Sequence, residues 1–159
     1  NELEMFTRLR IGAPLPTPAP PIFPGAYSAL SAAVSDIKKL AAGAGLLVSW
    51  DMSGLPPVPG ELSASRAKVC LACPLNSTAK LEQWNTVPVA MSLNKRLTRL
   101  EGMKLRTPSD NGLGLCDGIY APLSKLVHCP ISIISSRLKF QQVSELHPQC
   151  WIKADQNAI

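Results

Sequence analysis

Aromatic residues make up only 5% of these 159 residues, so Leu, Val, Ile and Ala must fill most of any core. No run of 18 apolar residues occurs, and no segment reads as a membrane-spanning helix. Imidazoles are limited to His128 and His147. Each lies close in sequence to a cysteine, but neighbouring side chains point in different directions, so a Cys/His catalytic pair is not expected. Carboxylates are also sparse: Asp110 and Asp117 flank Cys116, and Asp110 is expected to close an Asx turn with Asn111 and Gly112. "NGLGLCDG" lacks the lysine and the following helix of a phosphate-binding loop. There is no internal repeat. These absences weigh against an enzyme.

Proline is abundant. The chain holds 15, roughly twice the usual proportion, and six of them fall between Gly12 and Ala26. That stretch cannot be regular helix or central strand. It reads as a polyproline-like arm over residues 1–26, serving as a plain linker or as a recognition peptide for a protein partner. The chain begins at Asn1, so a processed, trimmed or partial chain is expected.

A helical segment and loop are expected over 27–60. Tyr27, Leu30, Val34, Ile37, Leu40, Ala41, Ala44 and Val48 recur near helical spacing. Gly43 and Gly45 either end that helix or permit close packing. "ELSASRAKVC" reads as a short helix carrying Leu62, Arg66 and Val69 and delivering Cys70 in its last turn. "TVPVAMSLNKRLTRLEG" gives the clearest helix, opening at Pro88 and lined by Leu93, Leu97 and Leu100. "HCPISIISSRLKF" fits either a helix opening at Pro130 or a strand.

The formal charge is +5, and it is uneven. Lys95, Arg96, Arg99, Lys104 and Arg106 crowd the basic helix 88–106 against a single Glu101. Such a cluster suits nucleic acid or an acidic surface, and equally a solvated helix face.

All five cysteines and both histidines lie beyond residue 60. Five is an odd number, and a secreted chain would be expected to pair an even set. Cys70-x-x-Cys73 has the separation of a metal knuckle, and a structural zinc site needs two further ligands. Cys116 and Cys150 are the expected partners, with His128 and Cys129 as alternates. An iron–sulfur cluster is the rival cofactor, because Cys73-Pro74 and Cys129-Pro130 match the Cys-Pro of ferredoxin runs. Buried, unliganded thiols are the bland reading.

"RAKVCLACPLN", "TVPVA", "LRTPSDNGLGLC", "APLSKLVHCPI" and "QCWIK" together resemble a group of small cysteine-rich phage and prophage proteins without an assigned activity. The likeness spans roughly residues 47 to 153. Cys70, Cys73, Pro74, Asn76, Cys116, Pro122, His128 and Cys150 match its pattern. Ile119 and Ala121 stand where that pattern has cysteines, and Cys129 is additional. The resemblance implies that the cysteines meet in space. It also implies a phage-particle or protein partner and a host-cytoplasmic or virion-associated location, and no reaction.

The expected molecule is mainly α-helical, with long irregular Pro-rich connections. Its small C-terminal half, residues 61–153, is stapled by a metal and followed by a tail at 154–159. Its expected role is that of a zinc-stabilised binding or assembly module. A nucleic-acid-binding protein and an iron–sulfur redox protein are the alternatives.

Overall fold

The computed structural model describes residues 24–158, with side chains from residue 35 onward. Most of the Pro-rich arm therefore lies outside the described residues. Packing divides the chain at Ala33 and Val34, and the second unit carries the core.

One helix, α1, runs Pro24–Ser53, so "GLLVSW" continues it and forms no strand. Its end is well marked. Gly54 adopts a left-handed φ of 72°, and Ser53 Oγ donates to the Trp50 carbonyl. The Arg99 guanidinium covers the carbonyls of Trp50 and Asp51, two of the acceptors a helix end leaves open. Gly43 serves close packing: a Cβ there would lie 2.0 Å from the Tyr120 carbonyl oxygen.

Helix α2 (Gly60–Leu71) forms where expected and delivers Cys70 in its last turn. Ser63, Arg66, Ala67 and Cys70 point inward at spacings of three and four, while Leu62 and Val69 are exposed. This helix turns an arginine toward a polar network and a cysteine toward the other thiols, and leaves two of its large apolar residues at the surface.

The basic helix expected over 88–106 is two helices. After α3 (Thr78–Thr86) come α4 (Pro88–Asn94) and α5 (Thr98–Gly102). The break follows from packing. Ala90 and Leu93 join a small cluster around Trp84 and Tyr120, whereas Leu97 and Leu100 enter the main core with Trp50 and Leu126. One straight helix would have to serve both with a single face.

Three two-residue strands form a small antiparallel sheet that sequence alone does not reveal. They are β1 (Asn76–Ser77), β2 (Leu115–Cys116) and β3 (Ala121–Pro122). Asn76 pairs with Cys116, and Cys116 with Ala121. Pro122 sits on the outer strand, where its missing N–H is tolerated. Helices α6 (Leu123–Leu126), α7 (Ile131–Arg137), α8 (Phe140–Ser144) and α9 (Trp151–Asn157) follow. Residues 154–157 of the expected tail are thus part of α9, and Asp155 among them pairs with the buried Arg66. Fold class is mainly helical, as expected. Among the described residues no helix is long and apolar enough to cross a membrane.

Candidate metal centre

Cys70 lies in the last turn of α2, and two successive tight turns follow. The Cys73 N–H bonds the Cys70 carbonyl at 3.1 Å, and the Asn76 N–H bonds the Cys73 carbonyl at 3.1 Å. Pro74 stops the helix from continuing. The chain then enters β1, whose pairing brings Cys116 alongside. The Asn76 side chain fixes this approach from both ends of its amide, donating to the Gly112 carbonyl and accepting from the Gly114 N–H at 2.7 Å. Gly114 has to be glycine, since a Cβ would fall 2.3 Å from the Ser77 carbonyl oxygen. Cys150 arrives separately, as the residue that opens α9.

The four cysteines line one interior cavity of about 20 Å³. That is room for about one water-sized sphere or a single ion. The rest of its wall is Leu, Ile and Trp, with Asn76 the one amide. Cys70 and Cys116 are buried, while Cys73 and Cys150 are half-buried. The latter two also line an outer groove of about 340 Å³ with Lys68 and His147. The cluster is closed inward and reachable from one side.

Burial dominates the thiols. It pushes Cys70 up to about 12, opposed by the Trp151 N–H and reinforced by the other three sulfurs. Burial pushes Cys116 up to about 11, with the backbone amides of Ile119 and Gly118 acting against it and Cys150 and Cys73 adding to it. Cys150 is raised for the same first reason. The neighbouring sulfurs add to the rise at Cys70, and Cys73 adds to it at Cys116 and Cys150. Among the described residues, no three His, Cys, Asp or Glu side chains stand in metal-ligand geometry. The thiols surround the cavity without closing on its centre.

Cys129 is elsewhere. It is fully buried, its sulfur faces the Pro130 carbonyl, and burial pushes it up to about 12. His128 is buried with no partner for Nε2, facing Asp110 and Arg66. Neither alternate ligand lines the cavity. Asp110 does not close an Asx turn onto residue 112; its carboxylate accepts from the Thr107 N–H and hydroxyl. Of the basic set, Lys95, Arg96, Lys104 and Arg106 are exposed, but Arg99 is occupied with the end of α1.

His128 supplies a test of its own. Burial holds its folded pKa below the usual value, with Arg66 adding to that and Asp110 opposing it. Between the folded value and about 6.5, the unfolded chain binds a proton that the folded chain does not. Stability should be full above that window and fall as pH drops through it. Urea melts of metal-free protein from roughly pH 7.5 to 5 should show the decline, and His128→Gln should flatten it. An unchanged slope in the variant would remove His128 as the cause.

Sequence reasoning missed Arg66 and Trp151. Arg66 and Cys70 are four apart on α2, and Trp151 and Asp155 are four apart on α9. Only docking of the two helices makes those pairs meet. Comparison of the chain with protein-family models, curated proteins and solved structures finds no match. The phage resemblance therefore rests on its motif residues alone.

Proposed function

We propose that this protein is a non-enzymatic binding or assembly module whose fold is fixed by one zinc ion held by Cys70, Cys73, Cys116 and Cys150. The observation carrying this reading is convergence. Four thiols from three separate parts of the chain, up to 80 residues apart in sequence, surround one ion-sized cavity. The donor set is that of a structural zinc site, and the ion would supply folding free energy and no turnover. The cavity size favours a single ion over an iron–sulfur cluster, which needs more room. Access through the groove at Cys73 and Cys150 gives the ion a way in.

The test is zinc content of anaerobically purified protein, paired with alkylation footprinting. About one zinc per chain is expected. In metal-free protein iodoacetamide should modify Cys73 and Cys150 first, and added zinc should protect both. Iron with matching sulfide would move the site to a cluster. Absence of any metal uptake, with Cys73 and Cys150 equally reactive throughout, would leave four buried thiols and end this reading.

A further inference from the structure

Of the four thiols around the inner cavity, Cys73 and Cys150 alone also line the outer groove. Both are half-buried, whereas Cys70 and Cys116 are buried. Their backbones differ as well. Cys70 lies within α2 and Cys116 within the central strand β2, where regular hydrogen bonding fixes the chain. Cys73 and Cys150 sit in tight turns at two helix ends. The Cys73 N–H bonds the Cys70 carbonyl at 3.1 Å, and the Cys150 N–H bonds the His147 carbonyl at 2.9 Å. The Cys70 sulfur is further occupied, accepting from Trp151 Nε1–H at 3.3 Å. Among the described residues, the groove of about 340 Å³ is lined by Lys68 and His147 and by no carboxylate. A small anionic reagent meets one fixed positive charge there and no negative one.

We propose that Cys73 and Cys150 form a thiol–disulfide exchange site for small anionic disulfides of the glutathione type, whose oxidised state joins the end of α2 to the start of α9. One protein sulfur attacks a sulfur of the small disulfide, forming a mixed disulfide and expelling the other half as a thiol. The second protein sulfur then displaces the half that remains, and the Cys73–Cys150 bond closes. Two electrons pass from the protein thiols to the small disulfide, and their two protons leave on the two small thiols. The nearer pair in sequence, Cys70 and Cys73, is not the one the groove exposes. Disulfide geometry is narrow, so the pair held in turns adjusts to it more readily than a residue inside a helix. The bond would tie together residues 77 apart in sequence, which constrains the unfolded chain and stabilises the fold. No metal ion enters this scheme, and it does not rest on the zinc reading.

The test takes the full chain, reduced and stripped of metal with a chelator, and equilibrates it anaerobically with oxidised and reduced glutathione. After acid quenching, unfolding and alkylation, peptide mapping should find Cys73 linked to Cys150. Cys70, Cys116 and Cys129 should carry the alkyl label. The oxidised protein should melt roughly 10 °C above the reduced one, and added reductant should reverse the rise. These measurements need no variant to fold. In Cys150→Ser the reaction should stop at a glutathione adduct on Cys73, and that adduct should persist where the parent's resolves. A Cys70–Cys73 link, a link between two chains, or adducts with no internal bond in the parent would overturn the inference. Because metal is absent throughout, that result would leave the zinc reading untouched.

Discussion

On the zinc reading proposed above, Cys116→Ser should abolish any thermal stabilisation that added zinc gives the parent. Zinc bound in that way, at a thousandfold excess over its dissociation constant, would add about 4.1 kcal/mol to the folded state. For a compact unit of this size that is a rise of roughly 15 °C in melting temperature. Loss of one thiolate from a four-thiolate set removes the tight site, so the variant should melt at the same temperature with and without zinc. Cys129→Ala is the control. Cys129 is more buried than any of the four, but it does not line the cavity. That variant should melt lower in both conditions yet keep the full zinc-induced rise. Equal zinc responses in Cys116→Ser and the parent would contradict the assignment of Cys116 as a ligand.

The second large effect is expected at Gly43. Helix propensity alone favours alanine over glycine by about 1 kcal/mol in a helix interior. At Gly45, where a Cβ meets nothing within 4 Å, Gly45→Ala should show that gain. Gly43→Ala should do the reverse. Its Cβ would lie 2.0 Å from the Tyr120 carbonyl oxygen, 2.5 Å from the Tyr120 carbonyl carbon and 2.7 Å from the Ile119 oxygen. All three are backbone atoms, so no rotamer can relieve the clash, and α1 must shift off the loop between β2 and β3. The expected cost is about 3 kcal/mol or more. Two chemically identical substitutions on one helix should therefore move urea midpoints in opposite directions. A neutral Gly43→Ala would show that α1 does not pack on this loop as described.

That loop is also where the candidate centre meets the rest of the core. Tyr120 adopts a left-handed φ of 60°, which turns the chain from the Cys116 strand into β3. Its ring lies near the amines of Lys80 and Lys39, and Asp117 pairs with Lys80. Gly118 packs against side chains that line the cavity: a Cβ there would meet Leu146 at 2.7 Å and Leu75 at 3.4 Å. A shift of α1 at Gly43 would thus be felt at Cys116, and Gly43→Ala should weaken zinc binding as well as folding.

Helix-forming periodicity, proline placement and the Cys70-x-x-Cys73 turn were all local properties, and sequence by itself determined them. The helix delivering Cys70 follows from spacing and from where proline can sit, whereas spacing left open both the run through Trp50 and the choice of helix or strand after Pro130. Counting also weighed against His128 and Cys129 serving one centre together, because the two are consecutive and neighbours seldom reach one point. Tertiary structure decided what depends on partners far along the chain. It broke the basic helix between Leu93 and Leu97 because two separate apolar clusters draw on its two halves. It turned Arg66 inward on α2 because Asp155, the Cys129 carbonyl and the Trp151 ring together meet its charge. It drew the expected tail into α9 for the same reason. A buried charge is tolerable only beside specific long-range partners, and no local pattern records where those partners will be.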